Sequence, residues 1–326
     1  MSGVSDSFQR PINYLRISVT DRCNLRCVYC MPADGIALMP HEDILTYEEV
    51  ELVVRAAARI GISKVRISGG EPLVRADLVN LVRMISRIEA IDDISLTTNG
   101  AFLSEQAARL KEAGLHRVNV SLDSLKRERF AAITRFDRLN GVLAGIDEAR
   151  RVGLEPVKVN VVVMRGVNDD ELVDFALLSR QGWHIRFIEL MPLLNGGAPM
   201  PEFMSADEMR SCLAPLGYLE PCSGPAGVGP AKYYSLPGAI GTIGFITPVS
   251  EHFCFRCNRL RLTADGRLLP CLLSDEEVDL RQSLRSGASI EDVQDLILQA
   301  VAAKPRGHRV AQRVVPSKRS MTQVGG

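Results

Sequence analysis

Six short β-rich runs, LRISV, VRIS, ISLTT, RVNVSLD, VKVNVVV and IRFIEL, recur between about residues 15 and 190. Helix-like segments of amphipathic or Ala-rich character separate them. Parallel strands need long connections and helices supply them, so this alternation predicts a parallel sheet with right-handed crossovers. Six units are too few to close an eight-fold barrel. An open doubly wound sheet and a partial barrel both fit, and either one gathers functional groups at the C-terminal ends of its strands. Some helix ends are readable: Thr46 with Glu49 makes a capping box, Gly61 sits where a C-terminal cap belongs, and Ser104 and Gly114 bracket a further helix.

The Gly/Pro-rich stretch PCSGPAGVGP, residues 221–230, reads as a loop or linker and divides the chain into residues 1–220 and 221–326. Beyond it, KYYSL and GTIGFI predict short antiparallel strands, and an Ala-rich helix near Ile290 to Ala303 precedes a basic tail. With 46% hydrophobic residues among 326, either one large domain or two smaller ones can bury a proper core. Lys plus Arg equals Asp plus Glu at 39 each, so no global field favours nucleic acid or a membrane surface, and any basic site has to be local. No apolar run reaches the roughly 20 residues a membrane span needs, and the first residues lack a secretory apolar core, so a cytoplasmic location is expected.

Six of the eight cysteines fall into two trios, while Cys212 and Cys222 stand apart as ordinary thiols. Cys23, Cys27 and Cys30 lie in C-x3-C-x2-C order within DRCNLRCVYC, directly after the first run. Three thiolates can hold three irons of a [4Fe-4S] cluster and leave the fourth open. Zinc completed by a distant His such as His41 is the alternative. After the second run, SGGEP places Gly69 and Gly70 where the backbone can come closer to a neighbour than any side chain would allow. The second trio, Cys254, Cys257 and Cys271, is spaced C-x2-C-x13-C, with His252 near enough in sequence to complete a zinc site. Between its cysteines, Arg259 and Arg261 alternate with leucines, so on a strand both forks face one side. Beside an open metal corner they suit an anion; otherwise they form a solvated strand face.

With Tyr29 just before its last cysteine, the first trio resembles the cluster loop of the radical S-adenosylmethionine superfamily, and SGGEP resembles that superfamily's turn for the methionine amine. The ordered set YLRISVTDRCNLRCVYCMP, KVRISGGEPLVR, LTTNG, RVNVSLDSL, VKVNVVVMRGVND, IRFIELMP, CFRCNRLRLTADGRLLPCL and the final Gly325-Gly326 resembles one family end to end. It is the molybdenum cofactor biosynthesis protein A family, the two-cluster GTP 3',8-cyclases.

The resemblance implies a partial (β/α)6 TIM-like barrel with a smaller C-terminal α+β region that carries a second cluster. It implies that Cys23, Cys27 and Cys30 ligate the reductive cluster, and that Tyr29, Gly70, Ser121 and Met191 line the S-adenosylmethionine site, with Asp123 as a further candidate. Cys254, Cys257 and Cys271 would ligate the second [4Fe-4S] cluster. Arg16, Arg66, Thr97, Lys158, Arg259, Leu260 and Arg261 would hold GTP, with Lys64 and Arg186 as further candidates for its phosphates. The implied reaction is reductive cleavage of S-adenosylmethionine, removal of the C3' hydrogen of GTP, and closure of C3' onto C8. An external one-electron donor and a downstream cyclic pyranopterin monophosphate synthase are the implied partners, a homodimer is left open, and Gly325-Gly326 would reach into the active site.

Overall fold

The computed structural model describes residues 3–192, 200–227, 229–312 and 314–325. Its first half realises the alternation in chain order: β1 (Tyr14–Ser18), α1 (Tyr47–Arg59), β2 (Lys64–Ser68), α2 (Leu78–Ser86), β3 (Asp93–Thr98), α3 (Leu103–Glu112), β4 (Arg117–Ser121), α4 (Arg127–Thr134), α5 (Leu139–Arg151), β5 (Lys158–Val163), α6 (Leu172–Leu177) and β6 (His184–Glu189). α7 (Ala206–Leu213), β7 (Glu220–Pro221), β8 (Lys232–Ser235), β9 (Thr242–Ile246), β10 (Arg259–Leu262), β11 (Arg267–Leu269), β12 (Val278–Asp279), α8 (Arg281–Arg285), α9 (Ile290–Ala302) and α10 (Met321–Val324) follow.

β1 to β6 pair in sequence order, each parallel to the next. The sheet does not close; it runs from β12 at one edge to β7 at the other, a partial barrel. β8 and β9 pair antiparallel as their sequence predicts, but β9 also adds parallel to β6. β10 adds parallel to β1 at the opposite edge. The C-terminal residues therefore extend the same sheet on both sides and do not form a separate layer.

Along each strand the alternation sorts side chains by face. Leu15, Ile17, Val65, Ile67, Leu96, Val118 and Val159 point to the helices and form the core with Val53, Val54, Leu81 and Leu110. The other face carries Arg16, Arg66, Ser95, Thr97, Asn119, Lys158, Asn160 and Arg186. Register sets Arg261 opposite Arg16, and Arg16 opposite Arg66, so three guanidinium-bearing residues stand abreast on adjacent strands.

The capping box at α1 is present: Thr46 Oγ1 accepts from the Glu49 amide at 3.2 Å, and the Glu49 carboxylate from the Thr46 amide at 2.7 Å. Gly61 and Gly114 both adopt positive φ beyond their helices. Ser104 is not a cap. α3 begins one residue earlier, at Leu103, whose amide bonds the Gly100 carbonyl at 3.0 Å while its side chain is drawn fully into the core. No helix among the described residues is long and apolar enough to cross a membrane.

Candidate active site

A cavity of about 290 Å3 lies over the polar inner face of the strands, and all six trio cysteines line it. Cys212 and Cys222 do not. The first trio occupies the loop after β1. That loop is pinned to the end of α4 by the Arg26 amide on the Thr134 carbonyl at 2.9 Å and the Val28 amide on the Ile133 carbonyl at 3.0 Å. Arg135, in a left-handed conformation, reinforces it by donating to the carbonyls of Arg26 at 2.6 Å and Met31 at 3.0 Å.

Gly70 ties the β2 turn to the same loop. Its amide bonds the Thr20 carbonyl at 2.6 Å, and a Cβ there would stand 2.4 Å from the Arg22 carbonyl oxygen. Only glycine fits that approach. Gly69, Gly70, Tyr29, Ser121 and Met191 all line the cavity. Asp123 does not face it. Its carboxylate accepts from the Tyr29 hydroxyl at 2.7 Å and the Val162 amide at 2.8 Å, so it holds the tyrosine instead. Burial raises its carboxyl to about 6.

Three thiol donors at one cavity wall, with neighbouring backbone packed as tightly as Gly70 allows, fit a cluster ligated through three corners. Among the described residues no group of His, Cys, Asp and Glu converges on a point that could hold a single metal ion. Among the described residues neither His41, beside Arg22 at 2.6 Å, nor His252, edge-on to His308 at 5.5 Å, belongs to such a group. Burial pushes the Cys23 thiol up to about 11, with Glu71 adding to it, and the Cys30 thiol up to about 12. Cys27 is raised by burial and by Asp123.

The second trio reaches the cavity from the opposite side, Cys254 and Cys257 on a tight turn before β10 and Cys271 just after β11. Burial raises the Cys271 thiol. It also pushes Cys257 up, but Arg259 and Lys304 outweigh it and bring that thiol down to about 6.

Between the trios stands the row of arginines. Arg16, Arg66, Arg259 and Arg261 line the cavity with Thr97, Asn160 and Arg186. Burial lowers the pKa of Arg16 and Arg66, and brings Arg186 and Arg261 to about 10, with neighbouring cations contributing in each case. Like charges set directly across a sheet destabilise it. A buried row of them is the arrangement an anion would relieve. Among the described residues Asn160 Oδ1 is buried with no hydrogen-bond partner, a further polar group turned toward this space.

Not every expected contact is here. Lys158 lies beneath the cavity, 3% exposed, with its Nζ donating to the Ala226 carbonyl. Burial, then Arg186, Arg117 and Arg66, bring its ammonium down to about 6. Leu260 is turned into the hydrophobic core, so only its main chain could meet a ligand. Lys64 sits at the N-terminal end of β2, 3.7 Å from Asp92, away from the cavity, whereas Arg186 lines it and donates to Asn119 Oδ1 at 2.5 Å. The tail does reach the site. The Arg261 guanidinium donates to the Gly325 carbonyl at 2.5 Å, and a Cβ on Gly325 would stand 2.5 Å from Ser68 Oγ. Gly326 lies outside the described residues.

Several supporting groups have roles that their motifs do not announce. Asn99 donates to Asn24 Oδ1 at 2.7 Å and approaches Cys23 Sγ at 3.8 Å, and the buried Glu71 accepts from Thr98 Oγ1 and the Asn99 amide, each at 2.6 Å. The TNG and GGE triplets are the available signals, but the partners come from separate loops: Asn99 after β3 meets Asn24 and Cys23 after β1, and Glu71 after β2 meets Thr98 and Asn99.

Residues 17–178 match the model of the radical SAM superfamily, and residues 183–310 that of the molybdenum cofactor synthesis C-terminal region. The chain is 53% identical to a GTP 3',8-cyclase of Pelotomaculum thermopropionicum, covering 99% of this chain and 100% of that one. It is 51% identical to the GTP 3',8-cyclase of Moorella thermoacetica, over 99% and 100%. Among solved structures it resembles Streptococcus suis SuiB bound to S-adenosylmethionine, with a TM-score of 0.59 at 16% identity, covering 83% of this chain and 64% of that one. That likeness bears on the fold alone.

Proposed function

The chain belongs to the GTP 3',8-cyclase family of the radical S-adenosylmethionine superfamily, and from that premise we propose how its residues divide the work. Its reaction converts GTP to (8S)-3',8-cyclo-7,8-dihydroguanosine 5'-triphosphate, the first step of molybdenum cofactor biosynthesis, with S-adenosylmethionine and iron–sulfur clusters as cofactors. When bound, a [4Fe-4S] cluster and S-adenosylmethionine would supply the one-electron chemistry that starts the reaction.

The protein's own part is binding, orientation and exclusion of water. Residues 1–220 furnish the first site and residues 221–326 the second. Cys23, Cys27 and Cys30 hold the first cluster, and Tyr29, fixed by Asp123, forms the cofactor wall with Gly70, Ser121 and Met191. Cys254, Cys257 and Cys271 would hold the second, and the guanine would lie on their side of the cavity. Arg16, Arg66, Arg186 and Arg261 hold the triphosphate with Thr97, Arg259 borders the base, and Lys158 adds a cation from below once the Ala226 carbonyl releases it. Gly325, seated between Arg261 and Ser68, brings the tail to the substrate.

The single observation that carries this reading is that both trios and the arginine row line one cavity. Deuterium at C3' of GTP tests it. Anaerobic turnover with reductant and S-adenosylmethionine is expected to move that deuterium into 5'-deoxyadenosine, whereas unlabelled 5'-deoxyadenosine, or cleavage indifferent to GTP, points to another two-cluster radical enzyme. The electron comes from an external donor in the cytoplasm, and the product passes to a cyclic pyranopterin monophosphate synthase; neither nucleic acid nor membrane is needed, and a homodimer is the assembly to test.

A further inference from the structure

The tail stretch Lys304 to His308, KPRGH, has no part in the reading above, yet Lys304 is 3% exposed and lines the cavity beside the second trio. Its Nζ donates to the Arg259 carbonyl at 2.7 Å and to the Pro270 carbonyl at 2.6 Å. Arg259 comes two residues after Cys257, and Pro270 immediately before Cys271. One ammonium therefore spans the two segments that bring these cysteines together across the long C-x13-C gap. The third cysteine is braced by another cation. Arg10, 5% exposed and paired with Asp6 at 2.5 Å, donates to the Cys254 carbonyl at 2.7 Å and to the Arg306 and Pro305 carbonyls at 3.0 and 2.7 Å.

An ammonium has three N–H donors, and two are used on carbonyls. Among the described residues Lys304 forms no salt bridge to a carboxylate, and a buried cation without a counter-charge is costly. The charges that favour its protonated form are Cys257 and Cys271, acting against burial, which lowers its pKa. We propose that Lys304 is a positioning residue of the second cluster, fixing the span between Cys257 and Cys271 and placing one buried positive charge against the thiolate-bound iron–sulfur group. This rests on the second trio holding a cluster.

The test is anaerobic reconstitution of the wild type, Lys304→Met and Lys304→Arg, followed by iron and sulfide analysis and redox-titrated electron paramagnetic resonance with and without S-adenosylmethionine. In Lys304→Met the signal perturbed by S-adenosylmethionine is expected to persist. The other cluster should be lost, with iron falling from about eight to about four per chain, or reduced only at a more negative potential. Lys304→Arg, which keeps charge and donors, should retain both clusters near the wild-type midpoint. If Lys304→Met aggregates, Lys304→Gln against Lys304→Arg decides by the same readouts. Full iron with wild-type signals and midpoints in the neutral variants overturns the assignment, and so does a lower melting temperature alone. A wild type without a second cluster is a different failure, because it removes the two-cluster reading and this assignment with it.

Discussion

The two cysteine trios have the same donor set and opposite surroundings. Around the first, burial raises all three thiols, and carboxylates add to it, Glu71 on Cys23 and Asp123 on Cys27 and Cys30. Around the second, burial raises Cys271 as well, but the nearby charges include cations, and Arg259 with Lys304 bring Cys257 down to about 6 against its burial. The same three-thiol donor set thus sits beside carboxylates in one place and beside cations in the other. An acidic setting favours a cationic occupant such as a sulfonium with its free amine, and a basic one favours an anionic, acceptor-rich nucleotide.

The strongest way to break that contrast is to remove one trio at a time. Cys27→Ser is expected to lower 5'-deoxyadenosine formation by about a thousandfold or more, while Cys271→Ser keeps S-adenosylmethionine cleavage and loses its dependence on GTP. Product chromatography of both variants decides; equal loss of cleavage in the two would mean the sites are not separable. Next in size, Arg66→Ala should raise the KM for GTP roughly 10- to 100-fold, the effect of losing a charge-assisted contact, and leave the affinity for S-adenosylmethionine unchanged. A parallel loss of cofactor affinity would show that the two fields overlap.

Lys158 sharpens the comparison through its linkage to pH. Its ammonium is lowered to about 6 in the folded chain and lies near 10.4 when unfolded. Between those values the unfolded state binds more protons, so this residue's contribution to stability rises with pH from about 6 to about 10 and falls as pH drops through that window. Lys158→Met should flatten that slope, raise the melting temperature of the ligand-free protein by a few degrees, and weaken GTP binding about tenfold. Melting curves from pH 6 to 9 check the first part and nucleotide titration the second; a melting temperature that falls would contradict the buried-charge account. The smallest effect expected is that of Asp123→Asn, a several-fold rise in the KM for S-adenosylmethionine, because the amide still accepts from the Tyr29 hydroxyl.

Much of this was legible from local pattern. The six β/α repeats gave the parallel order, cysteine spacing gave both trios, and alternation put Arg16, Arg66, Arg259 and Arg261 on one face. What escaped depends on partners far away in sequence. Nothing local in TIGFI says that it pairs parallel with β6, nor in RLRL that it continues beyond β1, since edge choice is a property of the whole sheet. Lys158 has the period of the arginines, but the carbonyl of Ala226, from a stretch that reads as a plain linker, holds it below the cavity. Asp123 sits at a strand end like Ser121, and only its bond to Tyr29 shows that it acts through another residue. Lys304 lies in a run of basic residues that resembles a solvated tail until its two carbonyl partners are seen.

The most direct test of the two-corner account is the iron and sulfide content of anaerobically reconstituted protein, in the wild type and with each trio replaced by serine in turn. The expected values are about eight irons per chain for the wild type and about four for either variant, with the S-adenosylmethionine-sensitive signal lost only when Cys23, Cys27 and Cys30 are gone. Zinc in place of iron at either trio, or a single cluster abolished by both replacements, would contradict it.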